Sequence, residues 1–134
     1  MNHTCQAIVF RCMDFRIDPT VFSQLLAQNG ICEVGQFDLV SVAGAAKSFL
    51  ADQQDFMMAQ IEIATRLHGV KKVVLVMHDN CGAYGIADSA DEERTQRLDL
   101  EAIASLVADK FPELTVEKLI LKGTASGNFS LLRV

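Results

Sequence analysis

Nowhere do the 134 residues hold an apolar run approaching the roughly 18 needed to span a bilayer, so a membrane is not an expected partner. Met1 to Cys12 contain only a short apolar stretch, Ala7 to Phe10, and no small-residue cleavage pattern. With no targeting signal, the expected compartment is the cytoplasm. Cations are few and scattered: 12 Lys and Arg against 17 Asp and Glu give a formal net charge of -5, without a basic stretch. Phosphate backbones are gripped by clustered Lys and Arg, so nucleic acid is not an expected partner. Internal repeats, low-complexity segments and linkers are missing, and the length leaves no room for two ordinary domains. A single domain over residues 1–134 is expected. The densest charge run, Asp91 to Arg94, reads as a solvated loop.

What is present suits a packed core. Half of the residues are hydrophobic and 22% are charged, a balance that argues against disorder. Cysteines in a reducing compartment stay as thiols. Cys5, Cys12, Cys32 and Cys81 therefore point to metal binding, catalysis or packing before disulfides.

The hydropathy pattern alternates strand and helix. Ala7 to Phe10 is a short strand-like run ending in Arg11-Cys12. Asp18 before Pro19 predicts an N-cap with proline at the first helical position. Val21, Phe22, Leu25 and Leu26 recur at helical spacing, and Asn29-Gly30 supplies the stop. Phe37 to Val42 predicts a second strand, closed by Ala43-Gly44-Ala45. Asp52 to His68 predicts a helix whose apolar face runs through Phe56, Ala59, Ile63 and Leu67, ended by Gly69. Val73 to Met77 is an unbroken apolar run of the kind a central parallel strand needs. Leu98 to Phe111 predicts another amphipathic helix, Lys118 to Leu121 a fourth strand, and Phe129 to Leu132 a short edge strand. The fold class is therefore α/β: a doubly wound, mostly parallel sheet of four to five strands, order starting 2-1-3-4, with helices on both faces.

In such a sheet, ligands bind beyond the carboxyl ends of the strands, where the winding direction reverses. With the order 2-1-3-4, that crevice lies between the first strand, which ends at Cys12, and the third, which ends at His78. Zinc favours thiolate and imidazole in a tetrahedral site. Cys12, His78 and Cys81 offer two thiolates and one neutral imidazole, whose charge balances Zn²⁺ and offsets much of the cost of burial. The three-residue step from His78 to Cys81 lets one turn aim both at a single ion, and a fourth position stays open. Taken singly, Cys12 reads as core filler and His78 as an ordinary loop histidine. The constellation, not either residue, carries the zinc reading. Asp14 and Arg16 alternate with Cys12, so an extended segment would put all three on one side. Arg16 would keep Asp14 ionised, either to accept a hydrogen bond from zinc-bound water or to close the coordination sphere; an ordinary loop ion pair is the plainer reading. Cys5 and Cys32 lack a His or Cys partner at useful spacing and read as packing residues. His3 and His68 read as surface or helix-end residues, and Tyr84 as packing or a pocket wall.

Cys12-x-Asp14-x-Arg16 with His78-x-x-Cys81-Gly82 resembles the zinc signature of the β-class carbonic anhydrases. Val42-Ala43-Gly44-Ala45 is similar to the family's Ala-Gly loop after the second strand. Ile61 to Ala64 with Leu67 to Val70 resembles the helix leading into the zinc-ligand strand, and Gly123 to Leu131 is faintly similar to the final segment. The resemblance implies Cys12, His78 and Cys81 as zinc ligands and Asp14 with Arg16 as the catalytic pair. It further implies a substrate pocket involving Phe15, Gly44, Ala45 and Gly82. The implied reaction is reversible hydration of carbon dioxide to bicarbonate by a zinc-bound hydroxide, in a homodimer or higher homo-oligomer. Phe15 stands where the family usually has Ser, and Met77 where Gly is usual before the ligand histidine. The chain is shorter than typical members, without their N-terminal helical extension and with an abbreviated Gly82 to Leu98 segment.

Three other readings stay open. The same zinc site could act on another small molecule, such as a different linear heterocumulene or an ester. Asp14 could close the site permanently and leave a structural or oligomerisation module. A metal-free Cys12–Cys81 dithiol ranks last, because it leaves His78 and Asp14 without a role. Gly82 to Gly85 lacks the Lys-Ser/Thr of a phosphate loop and the spacing of a dinucleotide fingerprint.

Overall fold

Strand and helix alternate along residues 3–134, the part described in the computed structural model. The elements are β1 (Ala7–Cys12), α1 (Pro19–Gln28), β2 (Phe37–Val42), a 3₁₀ helix (Ala45–Leu50), α2 (Gln54–His68), β3 (Lys72–His78), α3 (Ser89–Lys110), β4 (Thr115–Lys122) and β5 (Ser130–Arg133). The sheet order is β2-β1-β3-β4-β5. The first four strands are parallel, and β5 pairs antiparallel with β4. The order 2-1-3-4 inferred from the sequence is therefore present, with β5 added at the edge.

Side-chain alternation divides the apolar residues between two layers. Ile8, Phe10, Cys12, Val73, Leu75, Met77 and Ile120 face the 3₁₀ helix, α2 and α3. Ala7, Val9, Val74, Val76, Leu119 and Leu121 face Phe22 and Leu26 of α1. Phe10 meets Phe49 edge to face, with ring centroids 5.0 Å apart. Complete burial of each such side chain contributes about 1.5–3 kcal/mol. The α1 start follows the expected chemistry: Asp18 accepts the Val21 amide at 3.0 Å, and Pro19 begins the helix.

Three expectations need correction. The α2 face through Phe56, Ile63 and Leu67 is the exposed one, whereas Met57, Met58, Ile61 and Ala64 meet the sheet. Both faces of α2 are apolar, so periodicity alone could not choose between them. The run Asp91 to Arg94 is helix, not loop, because α3 begins at Ser89 with Asp88 accepting the Asp91 amide. The chain after Cys12 is not extended. Asp14 to Ile17 forms a turn in which Asp14 accepts the Arg16 amide through its side chain and the Ile17 amide through its carbonyl.

The β1–β3 ladder runs only from Ala7↔Lys72 to Phe10↔Leu75, while β1 continues to Cys12 and β3 to His78. The two central strands thus part company just before their carboxyl ends. No helix among the described residues is long and apolar enough to cross a membrane.

Candidate metal centre

Cys12 at the end of β1, His78 at the end of β3 and Cys81 in the following loop converge in that opening. One ligand atom from each lies within 4.8 Å of the others, and all three residues are buried. The tautomer of His78 follows from its neighbours. Its Nδ1 lies 2.7 Å from the Asp79 carbonyl and 3.0 Å from Thr124 Oγ1. A carbonyl can only accept, so Nδ1 carries the proton and Nε2 keeps its lone pair. That Nε2 is buried without a hydrogen-bond partner, a costly arrangement unless something else uses the lone pair. Two sulfurs and an unpaired imidazole nitrogen are donors that fit zinc.

The electrostatics suit a cation. Cys12 is held as a thiolate, its pKa lowered to about 3, chiefly because the Cys81 thiol donates to it. Burial opposes that shift, while the nearby His78 ring and then the Gly44 and Asp14 amides add to it. Cys81 is pushed the other way by the neighbouring Cys12 charge and by burial. Binding a dication removes this competition, since both sulfurs can then be thiolates.

Asp14 stands beside the triad, Oδ2 lying 3.9 Å from His78 Nε2. Arg16 grips its carboxylate from two sides, Nε at 3.0 and 3.2 Å and Nη2 at 2.7 Å. Arg16 lowers the Asp14 pKa to about 2, so the carboxylate is ionised at neutral pH. Arg16 is fixed in turn by Asn80, through the side-chain oxygen at 2.8 Å and the backbone carbonyl at 2.9 Å. Asn80 adopts φ +54°, a left-handed conformation that Asn tolerates better than most residues.

A cavity of about 590 Å³ opens beside Cys12, lined further by Met13, Asp14, Phe15, Arg16, Ala43, Gly82 and Ala83. Phe15 is 92% exposed and Met13 62%, an apolar pair at the mouth. Gly82 is on the wall. Gly44 and Ala45 are not among the lining residues: Ala45 is buried in the core, and Gly44 sits behind Cys12 at φ +73° with Ala83 packed against it. Tyr84 is half-buried, its hydroxyl donating to Asp99 at 2.7 Å, which together with burial raises its pKa.

Several supporting residues escaped the sequence reading. Glu92, only 3% exposed, accepts the amides of Asn80 at 2.8 Å and Cys81 at 2.9 Å. Two successive amides aimed at one carboxylate form a nest, and this nest orients the Cys81 loop. Gln96 donates to the His78 carbonyl at 2.7 Å. Asp79 accepts the amides of Gly123 and Thr124, both at 3.0 Å, which brings the Thr124 hydroxyl to His78. Arg11, also buried, donates to the carbonyls of Cys12 and Ile17 and pins the turn carrying Asp14. The spacing Asp88-x-x-Asp91 was the one available signal that a helix begins there and turns Glu92 inward.

Comparison with known proteins bears on descent and fold. The sequence profile described as "Putative carbonic anhydrase" matches residues 2–126. An uncharacterized protein of Rickettsia conorii is 30% identical over 126 residues, covering 85% of this chain; the chain spans 66% of that relative's length. Among solved structures, a carbonic anhydrase from Streptococcus mutans superposes with a TM-score of 0.66 at 14% identity, over 100% of this chain and 85% of that one. A tetrameric β-carbonic anhydrase from Sordaria macrospora gives a TM-score of 0.67 at 16% identity, over 97% and 81%. At these identities the structures speak for the fold, and the profile speaks for descent: the chain belongs to the carbonic anhydrase family, as a divergent member with the β-class fold.

Proposed function

We propose that residues 1–134 act as one zinc domain, a lyase that reversibly hydrates carbon dioxide to bicarbonate. The observation that carries this reading is the buried, unpartnered His78 Nε2 grouped with two cysteine sulfurs, one of which, on Cys12, belongs to a residue lining an open cavity. Cys12, His78 and Cys81 would hold the ion. Zinc, when bound, supplies Lewis-acid activation of water near neutral pH.

The chain's own residues divide the remaining work. Asp14, ionised and beside the triad, accepts a hydrogen bond from the attacking water and fixes its orientation. Arg16 holds that carboxylate toward itself, which supports a fourth coordination position left free for water. Asn80 positions Arg16, and Glu92 positions Asn80 with Cys81. Phe15, Met13, Ala43 and Gly82 offer carbon dioxide an apolar approach. A homo-oligomer is supported by the apolar outer face of α2, where Phe56 is 53% and Leu67 49% exposed, close in kind to what a second copy would cover. Free thiols at all four cysteines favour a reducing, cytoplasmic setting.

The test is stopped-flow carbon dioxide hydration on protein of measured zinc content, across a pH range bracketing about 7, where zinc-activated water titrates. Fast hydration that disappears with a chelator supports the reading. Stoichiometric zinc with no hydration at any pH refutes it. A second reading, favoured by the exposed Phe15 at the mouth, keeps the metal and changes the substrate to another small heterocumulene or an ester. Turnover of carbon disulfide or an activated ester by protein inert toward carbon dioxide would select it.

A further inference from the structure

At the opposite end of the sheet, beside the amino ends of β1 and β2, a second set of metal-ligating groups comes together. Cys5 precedes β1, Asp38 is the second residue of β2, and His68 is the last residue of α2. One ligand atom from each lies within 4.8 Å of the others. With His3, Thr4, Gly35 and Phe37 they line a small pocket of about 160 Å³. Three segments distant in sequence thus deliver a thiol, a carboxylate and an imidazole to one partly exposed spot.

We propose that Cys5, Asp38 and His68 form a second, structural zinc site, with His3 orienting His68. His68 Nδ1 lies 2.6 Å from Asp38 Oδ2, and His68 Nε2 lies 3.2 Å from His3 Nε2. Without an ion, His68 holds its proton on Nδ1 for the carboxylate. Its Nε2 can then only accept a hydrogen bond from His3. With an ion on the Asp38 side, the proton sits on Nε2, which donates a hydrogen bond to His3 and leaves the Nδ1 lone pair free. A ligating histidine steadied by a hydrogen bond at its other nitrogen is the usual arrangement around zinc.

Burial and the neighbouring Asp38 disfavour ionisation of the Cys5 thiol in the ion-free cluster, so the thiol proton is the one an ion displaces. Zinc binding releases the Cys5 proton to solvent, and thiolate plus carboxylate then neutralise the dication. Sulfur, nitrogen and oxygen together suit zinc better than the harder divalent ions. The ion would clasp the segment before β1 to β2 and to the end of α2, reinforcing the Cys5 amide bond to the His68 carbonyl at 3.0 Å.

The experiment measures zinc per chain by elemental analysis after dialysis against micromolar zinc, for the full chain and for Cys5→Ser, His68→Gln and Cys81→Ser. Two zinc ions per chain are expected in the unaltered protein, one for each cluster, falling to one in each variant. Zinc content unchanged by both Cys5→Ser and His68→Gln overturns the proposal. Loss of zinc in Cys81→Ser alone speaks only to the other centre, so the two sites fail independently. Should a variant not fold, site-resolved alkylation of the unaltered protein decides. Zinc must slow modification of Cys5 several-fold, and an unchanged rate overturns the site.

Discussion

Glu92→Gln is the most informative single change. Glu92 is buried and its two oxygens accept two adjacent amides, Asn80 at 2.8 Å and Cys81 at 2.9 Å. Glutamine keeps the shape and one acceptor, but turns an NH₂ toward the other amide. One charge-assisted bond is lost and a buried N–H faces a donor, at a cost of about 2 kcal/mol. For a chain of this length, unfolding entropy scales so that about 2 kcal/mol lowers Tm by about 7 °C. The same loss loosens the loop carrying Cys81. Supporting partners of this kind are worth about 10–100-fold in metal affinity. Glu92→Ala, which abandons both amides, is expected to cost about twice as much. The assay pairs thermal unfolding of chelator-treated protein with zinc competition titrations. A Gln variant that keeps both Tm and zinc affinity would refute the claim that this carboxylate holds the loop.

Other consequences are equally direct. Cys81→Ser would remove one of the three proposed ligands, and zinc competition titrations should then show affinity for the Cys12–His78 site falling by orders of magnitude. Gly123→Ala would place a Cβ 2.1 Å from the Asn128 carbonyl oxygen at φ +97°, and denaturant titration should show a loss of at least about 3 kcal/mol. Gly69→Ala, at φ +60° but facing open space, should cost only about 1 kcal/mol in the same titration. Burial alone would raise the Asp79 pKa, yet the Gly123 and Thr124 amides outweigh it and hold it low. Its stabilisation is therefore complete above the ordinary carboxylate value near 4 and is lost as pH falls through the lower folded value. The stability gap between the unaltered protein and Asp79→Asn should close over that acid range; a gap independent of pH would contradict it.

How much of this was legible depended on whether a residue's role was local or tertiary. The unbroken apolar run Val73 to Met77 read as a covered strand, and Asp18-Pro19 as the start of a helix. Both stand in the structure. The convergence of Cys12 with His78 followed from strand order alone, because the reversal of winding falls between β1 and β3. Glu92 and Gln96 were hidden because a buried polar residue resembles a solvated one until its partner is known, and their partners lie in the loop from His78 to Cys81. Cys5 packs against the core as the sequence reading has it, while its grouping with two other ligating side chains was hidden for the same reason. Its neighbours Asp38 and His68 come from β2 and α2, at separations no spacing rule examines. The turn at Asp14 went unseen because the alternation argument assumed extended backbone, while Asp14 itself closes the turn by accepting the Arg16 amide.

The early end of the β1–β3 ladder has a consequence for how the chain reaches its native state. Cys12 and His78 are about 65 residues apart in the unfolded chain, whereas His78 and Cys81 are near neighbours. The local pair can capture an ion before any sheet exists, at little entropic expense. Cys12 can join only once β1 has found β3, a closure that costs about 4 kcal/mol of chain entropy by the estimate used for cross-links. Ligation by Cys12 therefore reports completed strand pairing. On the zinc reading, an ion present during synthesis would act as a latch that closes last, and refolding with zinc should leave the folding rate nearly unchanged while slowing unfolding.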